Sequence, residues 1–293
     1  MLSVSNEYMA KLSVDISISI ANFNTRELLK NCLRSIVTNT NGLKVEILVV
    51  DNGSRDGSFS MVQDQFPQVN LIKNSKNLFF SKAYNQALKK AQGKYFLILN
   101  SDTILPKNSL IKMLVFMEKY PNAAAASCRE IDENGNLDLT CSRFPTPLME
   151  FFESNLLSKI FKNKKLLHKY RYANWKRNTT RQVDVIPGSF MFLRKALMEK
   201  IGGFDENLKL FYSDYDLCLR MKKAGFVNYF YSKVTITHLR AQSVKLLDKW
   251  QLAKISLLDM LYYYKKHFGI SWYIILRLSF IPNWIYWRLK SLN

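Results

Sequence analysis

Acidic residues are scarce in this chain. Of its 293 residues, 23 are Asp or Glu against 43 Lys or Arg, a formal net charge of +20. Such a balance implies polyanionic company: nucleic acid, anionic lipid or phosphorylated substrates. Cysteine is sparse too. Cys32, Cys128, Cys141 and Cys218 are scattered, with no CxxC pair and no metal-ligand spacing. That pattern argues against a disulfide framework and fits buried free thiols in a reducing compartment. There is no low-complexity tract and no internal repeat, and 48% hydrophobic with 13% aromatic residues is a globular composition. The opening residues, MLSVSNEYMAKLSVDISISI, lack a basic leader and a continuous apolar core, so no signal peptide is read and a cytoplasmic chain is expected. No nucleic-acid recognition motif accompanies the positive charge.

What is present is periodic. Residues 15–21 (DISISIA) alternate as a strand does, and residues 26–38 place Leu28, Leu29, Cys32, Leu33, Ile36 and Val37 on one helical face. VEILVV (45–50) and YFLILN (95–100) are continuous apolar runs, as parallel strands buried on both faces should be. VNLIK (69–73) reads as a further strand, and residues 81–91 as a helix stopped at Gly93. Strand and helix alternating at this spacing predict a parallel sheet with crossover helices. Ligands in such sheets bind beyond the carboxyl ends of the strands. Two of those ends carry acids: Asp51 directly after VEILVV and Asp102 two residues past YFLILN.

Beyond residue 105 a helix at about 107–119 leads to the small-residue strand AAAASCREI. Residues 148–170 are apolar, basic and expected to be helical. VDVIPGSFMFLR (183–194) reads as one strand with Pro187-Gly188 inside it, which suggests a bulge or an edge approached by a ligand, and two more strands are expected near 226–231 and 233–238. Before them, FYSDYDLCLR (211–220) sets Asp214 and Asp216 two apart at a helix start. One reading is structural: Ser213 as N-cap, Asp216 as the capping-box acid, an Asp216–Arg220 pair at i, i+4. The other is chemical.

Five segments in order, SISIANFNTRELLKNCLRSI, VEILVVDNGSRDGS, NLFFSKAYNQAL, YFLILNSDT and GSFMFLRKALMEKIGGFDENLKLFYSDYDLCLRMKKAG, resemble the family-2 glycosyltransferases over roughly residues 13–240. Within that family the chain looks most like the bacterial rhamnosyltransferase-like branch of surface-polysaccharide assembly. The resemblance implies a GT-A fold, Rossmann-like with a mostly parallel sheet flanked by helices. It implies a nucleotide-sugar half (13–105) and an acceptor-binding, catalytic half (106–240). Inverting transfer from a nucleotide-diphosphate sugar, dTDP-rhamnose or a UDP-hexose, to a hydroxyl of a glycan or lipid-linked glycan follows. Around the nucleotide the resemblance places Ala21, Asn22, Phe23, Asn24, Asp51, Gly53 and Ser54. Asn77 and Asn85 match family asparagines, although a turn residue and a helix-surface amide would read alike, and Phe79 stands where the family usually has glycine. Asn100-Ser101-Asp102 takes the place of the D-x-D motif, whose last carboxylate would bind Mg²⁺ or Mn²⁺. His238 lies where many members carry a histidine reaching the metal or diphosphate; a satisfied structural histidine is the alternative. Asp214 matches the general base and Ser213 replaces a family glutamate. Gly188, Ser189 and Asp216 fall at the donor-sugar and acceptor side, Asp216 chiefly as a structural partner of Arg220.

Residues 155–181 carry nine basic residues and no acid, and residues 241–293 carry eight basic and two acidic among aromatics. Leu246, Leu247, Trp250, Leu252, Ile255, Leu258, Leu261 and Tyr262 predict an amphipathic helix, and GISWYIILRLSFIPNWIYWRLK is marginal for a membrane span. An interfacial helix on the inner face of the cell membrane is favoured, with packing on the domain or a homodimer partner and deeper insertion as alternatives. The competing functions are a same-fold transferase with a protein or small-molecule acceptor, a catalytically weak nucleotide-sugar binder, and a basic nucleic-acid-binding protein. The last leaves the carboxylates at successive strand ends unexplained.

Overall fold

The computed structural model describes residues 14–40, 42–153, 164–240, 242 and 244–282. The alternating isoleucines form β1 (Ile16–Asn22), with Ile16, Ile18 and Ile20 fully buried. β2 (Val45–Asp51), β3 (Val69–Lys73) and β4 (Tyr95–Asn100) join it in parallel in the order β3-β2-β1-β4. The connections are α1 (Arg26–Val37), α2 (Ser58–Gln65) and α3 (Phe79–Lys90). The unbroken apolar runs are explained by burial on both faces. Ile47 and Val49 enter the core with α1 and α2, while Leu48 and Val50 enter the opposite core with α3. Gly93 lies beyond the end of α3, where the chain passes over β1. A Cβ there would meet the Ser17 backbone nitrogen at 2.5 Å.

The second half extends the same sheet. It comprises β5 (Thr103–Ile104), α4 (Ser109–Lys119), β6 (Ala123–Ile131), β7 (Leu137–Asp138), α5 (Pro147–Glu153), α6 (Lys164–Tyr170), β8 (Arg181–Val183), β9 (Phe190–Arg194), α7 (Lys195–Lys200), α8 (Ser213–Lys223) and β10 (Val227–His238). The ten-stranded order is β3-β2-β1-β4-β9-β6-β10-β5, with β7 on β6 and β8 on β10. β9 runs antiparallel between β4 and β6, so the sheet is mixed rather than purely parallel.

Two strand expectations are corrected. Residues 183–194 are not one bulged strand: β8 pairs with β10 and β9 with β4 and β6, and Pro187-Gly188 sits in the link between them. Conversely, the strands expected near 226–231 and 233–238 are the single β10, whose register against β6 shifts between Tyr231 and Thr235. The four cysteines are free and buried. In residues 148–170 the helices are α5 and α6, and positions 154–163 between them lie outside the described residues.

The tail packs on the domain. A 3-10 turn at Val244–Leu246 precedes α9 (Lys249–Phe268) and α10 (Ile270–Ser279). Met260, Leu261, Tyr263, Tyr264 and Leu276 form a third core with Leu208, against which Phe151, Tyr212 and Tyr215 pack. Leu246 and Leu258, expected on the apolar face, are instead exposed. The terminal residues 283–293, with the last aromatics and basics of the tail, lie outside the described residues.

Candidate functional site

Parallel register brings the strand ends together, with Asn22 opposite Asp51 and Ala21 opposite Asn100. The Asn22 amide donates to Asp51 Oδ1 at 3.2 Å and to Ser54 Oγ at 3.1 Å, and Ser54 N–H donates to Asp51 Oδ2 at 3.1 Å. Thr25 Oγ1 donates to Asn22 Oδ1 at 2.6 Å and meets Ser101 Oγ at 2.8 Å, tying the β1 and β4 ends. Asn24, at φ 52°, bonds both Ser54 and the Arg55 N–H. Gly53 (φ 77°) lies so close to Lys76 that a Cβ would touch its backbone at 3.0 Å. Asn77 accepts the Phe79 N–H at 2.8 Å as a turn residue does, and Phe79 itself has φ 63°. A left-handed φ there is the physical reason glycine suits the position.

Asn85 is elsewhere. Its amide donates to the Phe204 carbonyl and accepts the Phe204 N–H, both at 2.9 Å, so it clamps the Gly202-Gly203 turn and does not line the cleft.

At the other edge, β10 ends on His238, paired antiparallel with Thr103. His238 Nε2 lies 3.3 Å from Asp102 Oδ1 and 3.4 Å from Asn100 Nδ2, while Nδ1 lies 2.8 Å from Glu130 Oε2. Burial alone would lower the imidazole; the Asp102 and Glu130 carboxylates outweigh it and push it up to about 9. Ser189 Oγ donates to the other Glu130 oxygen at 2.7 Å. These donors suit a divalent cation. Two neighbouring ligands on an ion bound at about 2.1 Å stand about 3 Å apart, close to the Asp102–His238 separation. With a cation in place of the Nε2 proton, the Glu130 carboxylate on Nδ1 would hold the tautomer whose Nε2 lone pair faces the metal. A second grouping, Glu130, Asp138 and His238, also brings ligand atoms within 4.8 Å, but Asp138 is paired with Arg240.

Opposite stands α8. Ser213 makes no cap: its hydroxyl meets Ser81 Oγ at 2.9 Å, and the left-handed Tyr212 precedes the helix. Asp214 opens on the cleft and accepts the Tyr215 N–H at 2.9 Å. Burial pushes its carboxyl up to about 6, against the pull of backbone N–H donors including Gly188. Asp216 takes no part in the donor-sugar and acceptor side where the sequence placed it. It is fully buried, bonded to Arg220 Nε at 2.7 Å, Lys266 Nζ at 2.6 Å and His267 Nε2 at 2.8 Å. Burial would raise its carboxyl, but His267, Arg220 and Lys266 hold it well below the usual carboxylate range.

One cleft of about 550 Å³ is lined by Ala21, Asn22, Phe23, Asn77, Asn100, Gly188, Ser189, Asp214 and His238. Asp51 and Asp102 back its walls through Asn22 and His238. Gly188 faces the Phe80 ring, which a Cβ would meet at 2.8 Å. Aromatics (Phe79, Phe80, Phe211, Tyr212 and Tyr215) crowd the Asp214 side, and Val244, Leu247 and Ser256 of the tail complete it.

Two residues carrying this arrangement escaped the sequence reading. Glu130 could have been noticed as the one acid in a strand that opens on four alanines. Asp259 lies four residues after Ile255 on the buried stripe of α9, and its carboxylate accepts the N–H groups of Lys209, Leu210 and Phe211 at 2.9–3.2 Å.

Residues 17–201 match the glycosyl transferase family 2. The chain belongs to that family. It is 22% identical over 218 residues to the N-acetylglucosaminyl-diphospho-decaprenol L-rhamnosyltransferase of Mycobacterium tuberculosis, covering 68% of each chain. To the rhamnosyltransferase WbbL of Escherichia coli it is 29% identical over 136 residues, 46% of this chain and 48% of the relative. Among solved structures, the mannosyltransferase PcManGT of Pyrobaculum calidifontis, in complex with GDP-Man and Mn²⁺, superposes at a TM-score of 0.57 with 15% identity, covering 91% of this chain and 70% of that one. GalNAc-T7, with UDP, GalNAc and Mn²⁺, gives a TM-score of 0.60 at 13% identity over 86% of this chain and 48% of that one. The fold is GT-A, and this family-2 chain is a rhamnosyltransferase-like glycosyltransferase.

Proposed function

We propose that this glycosyltransferase moves a sugar, with inversion, from a nucleotide-diphosphate donor to a hydroxyl of a glycan or lipid-linked glycan. The observation that carries the reading is Asp214 facing, within one cleft, the wall where His238 meets Asp102. The nucleoside side of the donor lies against Ala21–Asn24 and the Asp51–Ser54 turn, in the half formed by residues 13–105. Residues 106–240 supply the base and the acceptor face. Asp214 takes the proton of the acceptor hydroxyl as that oxygen bonds to the anomeric carbon. The bond from that carbon to the diphosphate breaks, and its electron pair leaves with the nucleoside diphosphate. A base titrating near 6 is ionised at neutral pH yet basic enough to accept this proton. A divalent ion, Mg²⁺ or Mn²⁺, would be held by Asp102 and His238 and would supply charge neutralisation for the diphosphate. Glu130 fixes the His238 ring, and Gly188 and Ser189 leave room for the sugar.

The donor is dTDP-rhamnose or a UDP-hexose, the former supported by the rhamnosyltransferase relatives. A lipid-linked acceptor is supported by α10. Its outer face exposes Ile270 (55%), Ile274 (49%) and Leu278 (59%), with Lys265 and Arg277 nearby. No helix among the described residues is long and apolar enough to cross a membrane, and this face suits docking at an anionic interface. Asp214→Asn is the test. Sugar transfer should fall by about 10²–10⁴-fold while donor binding, read by thermal shift with Mn²⁺, persists. Full transfer activity in the variant would refute the base assignment.

A further inference from the structure

The basic run at residues 155–181 is not used by the catalytic cleft, and its described part builds a second cavity. A cleft of about 520 Å³ is lined by Arg143, His168, Lys169, Tyr172, Trp175 and Arg181, and no carboxylate is among its described lining residues. The Arg143 and Arg181 guanidiniums each lie 5.1 Å from the Tyr172 ring centre, and Arg181 lies 5.0 Å from that of Trp175. Among the described residues neither arginine forms an ion pair. A guanidinium held by an aromatic face keeps its edge N–H groups available for a bidentate anion.

The rings are held rigidly. Arg177 is fully buried and donates to the carbonyls of Cys141, Arg171, Tyr172 and Trp175, with its charge 4.5 Å from the Trp175 ring. Tyr172 and Arg177 both adopt left-handed φ (49° and 56°), so this loop keeps a strained shape. The proximity of Arg181 lowers the proton affinity of Arg177 further, after burial. Like charges have thus been gathered with nothing of opposite sign among the cleft's described residues to balance them. The adjoining lobe, which Arg143, Tyr172 and Arg181 also line, holds one carboxylate, Asp184, which accepts the Tyr172 hydroxyl at 3.4 Å and pairs with Lys222 at 3.0 Å.

We propose that this cleft is a binding site for a diphosphate group, gripped by Arg143 and Arg181 across Tyr172. Two guanidinium forks on one ring can address more than one phosphoryl group, which a single monoanion does not require. Tyr170 links the site to the catalytic cleft: its carbonyl accepts the Arg143 N–H at 2.8 Å, and its hydroxyl donates at 2.7 Å to that of Tyr215, which lines the catalytic cleft with Asp214. A lipid-linked acceptor would present its sugar to Asp214 and its diphosphate to these arginines. That last step rests on the acceptor reading above; the affinity of the cleft for diphosphate does not.

Inorganic pyrophosphate is the probe, titrated calorimetrically in EDTA to silence metal-held diphosphate in the catalytic cleft. The wild type should bind, and Arg143→Gln/Arg181→Gln should bind at least about tenfold more weakly, with nucleotide-sugar affinity in Mn²⁺ unchanged as evidence that the fold and the donor site are intact. Equal pyrophosphate affinity in the two proteins, or none in the wild type, overturns the site. In a second arm, phosphatidylcholine vesicles carry either a polyprenyl diphosphate or phosphatidylglycerol at matched charge. Preference for the diphosphate lipid that disappears in the double variant supports the acceptor source; equal binding of the two vesicles overturns that source.

Discussion

Replacing Asp259 with alanine should unseat the catalytic loop from a distance. The carboxylate is 2% exposed and accepts the N–H groups of Lys209, Leu210 and Phe211, the residues leading into Tyr212 and Asp214. Alanine leaves three donors without their partner, in a region packed by Leu208, Tyr212 and Tyr263. A hydrogen bond to a charged group contributes about 1.5–3 kcal/mol, and such losses are not additive. The expected cost is about 3–5 kcal/mol, at the upper end for single substitutions. At about 2–4 °C per kcal/mol for chains of this size, Tm should fall by roughly 6–20 °C. Asp259→Asn keeps one acceptor oxygen and removes a charge whose burial raises the carboxyl above its ordinary range, so it should cost less than half as much. Catalysis supplies the sharper readout, because a base displaced by about 1 Å loses on the order of 10²-fold. Transfer should therefore fall in the alanine variant at temperatures where it is still folded, while nucleotide-sugar binding at the Asp51 side persists. Unchanged Tm and turnover would refute the argument that this carboxylate holds the loop.

The pH profile follows from Asp214. Its folded carboxyl is raised to about 6, so the base is ionised above that value and protonated below it. Transfer should be level above neutrality and fall about tenfold per pH unit below 6, and an acid limb near 4 would contradict the assignment. Glu130→Gln should weaken Mn²⁺ binding in the presence of nucleotide by about 10–100-fold, followed by electron paramagnetic resonance; unaltered affinity would remove Glu130 from the metal's support. Ile274→Ser/Leu278→Ser should release the protein from anionic vesicles without altering Tm, since both side chains are exposed. Unchanged co-sedimentation would refute the interfacial helix. These point variants are cleaner than deleting the tail, because Val244, Leu247 and Ser256 line the catalytic cleft.

The first half of the fold was legible because its periodicity is local. Alternation in DISISIA and unbroken runs in VEILVV and YFLILN record how many faces of each strand are buried, and the acids after those runs follow from sheet geometry. Asp216–Arg220 was also readable, being a pair one helical turn apart. By itself the sequence determined the α/β class, the family and the strand-end positions of Asp51 and Asp102. Contacts between distant segments decided the rest. Glu130 reaches His238 across 108 positions, and Asp216 meets Lys266 and His267 across 50 and 51. No periodicity encodes such pairings, which depend on strand order and on where α9 docks. The same holds for the two acids of FYSDYDLCLR. Only tertiary packing opened Asp214 onto the cleft and closed Asp216 beneath the tail, because two residues of helix turn side chains to different neighbours and the neighbours here come from elsewhere in the chain.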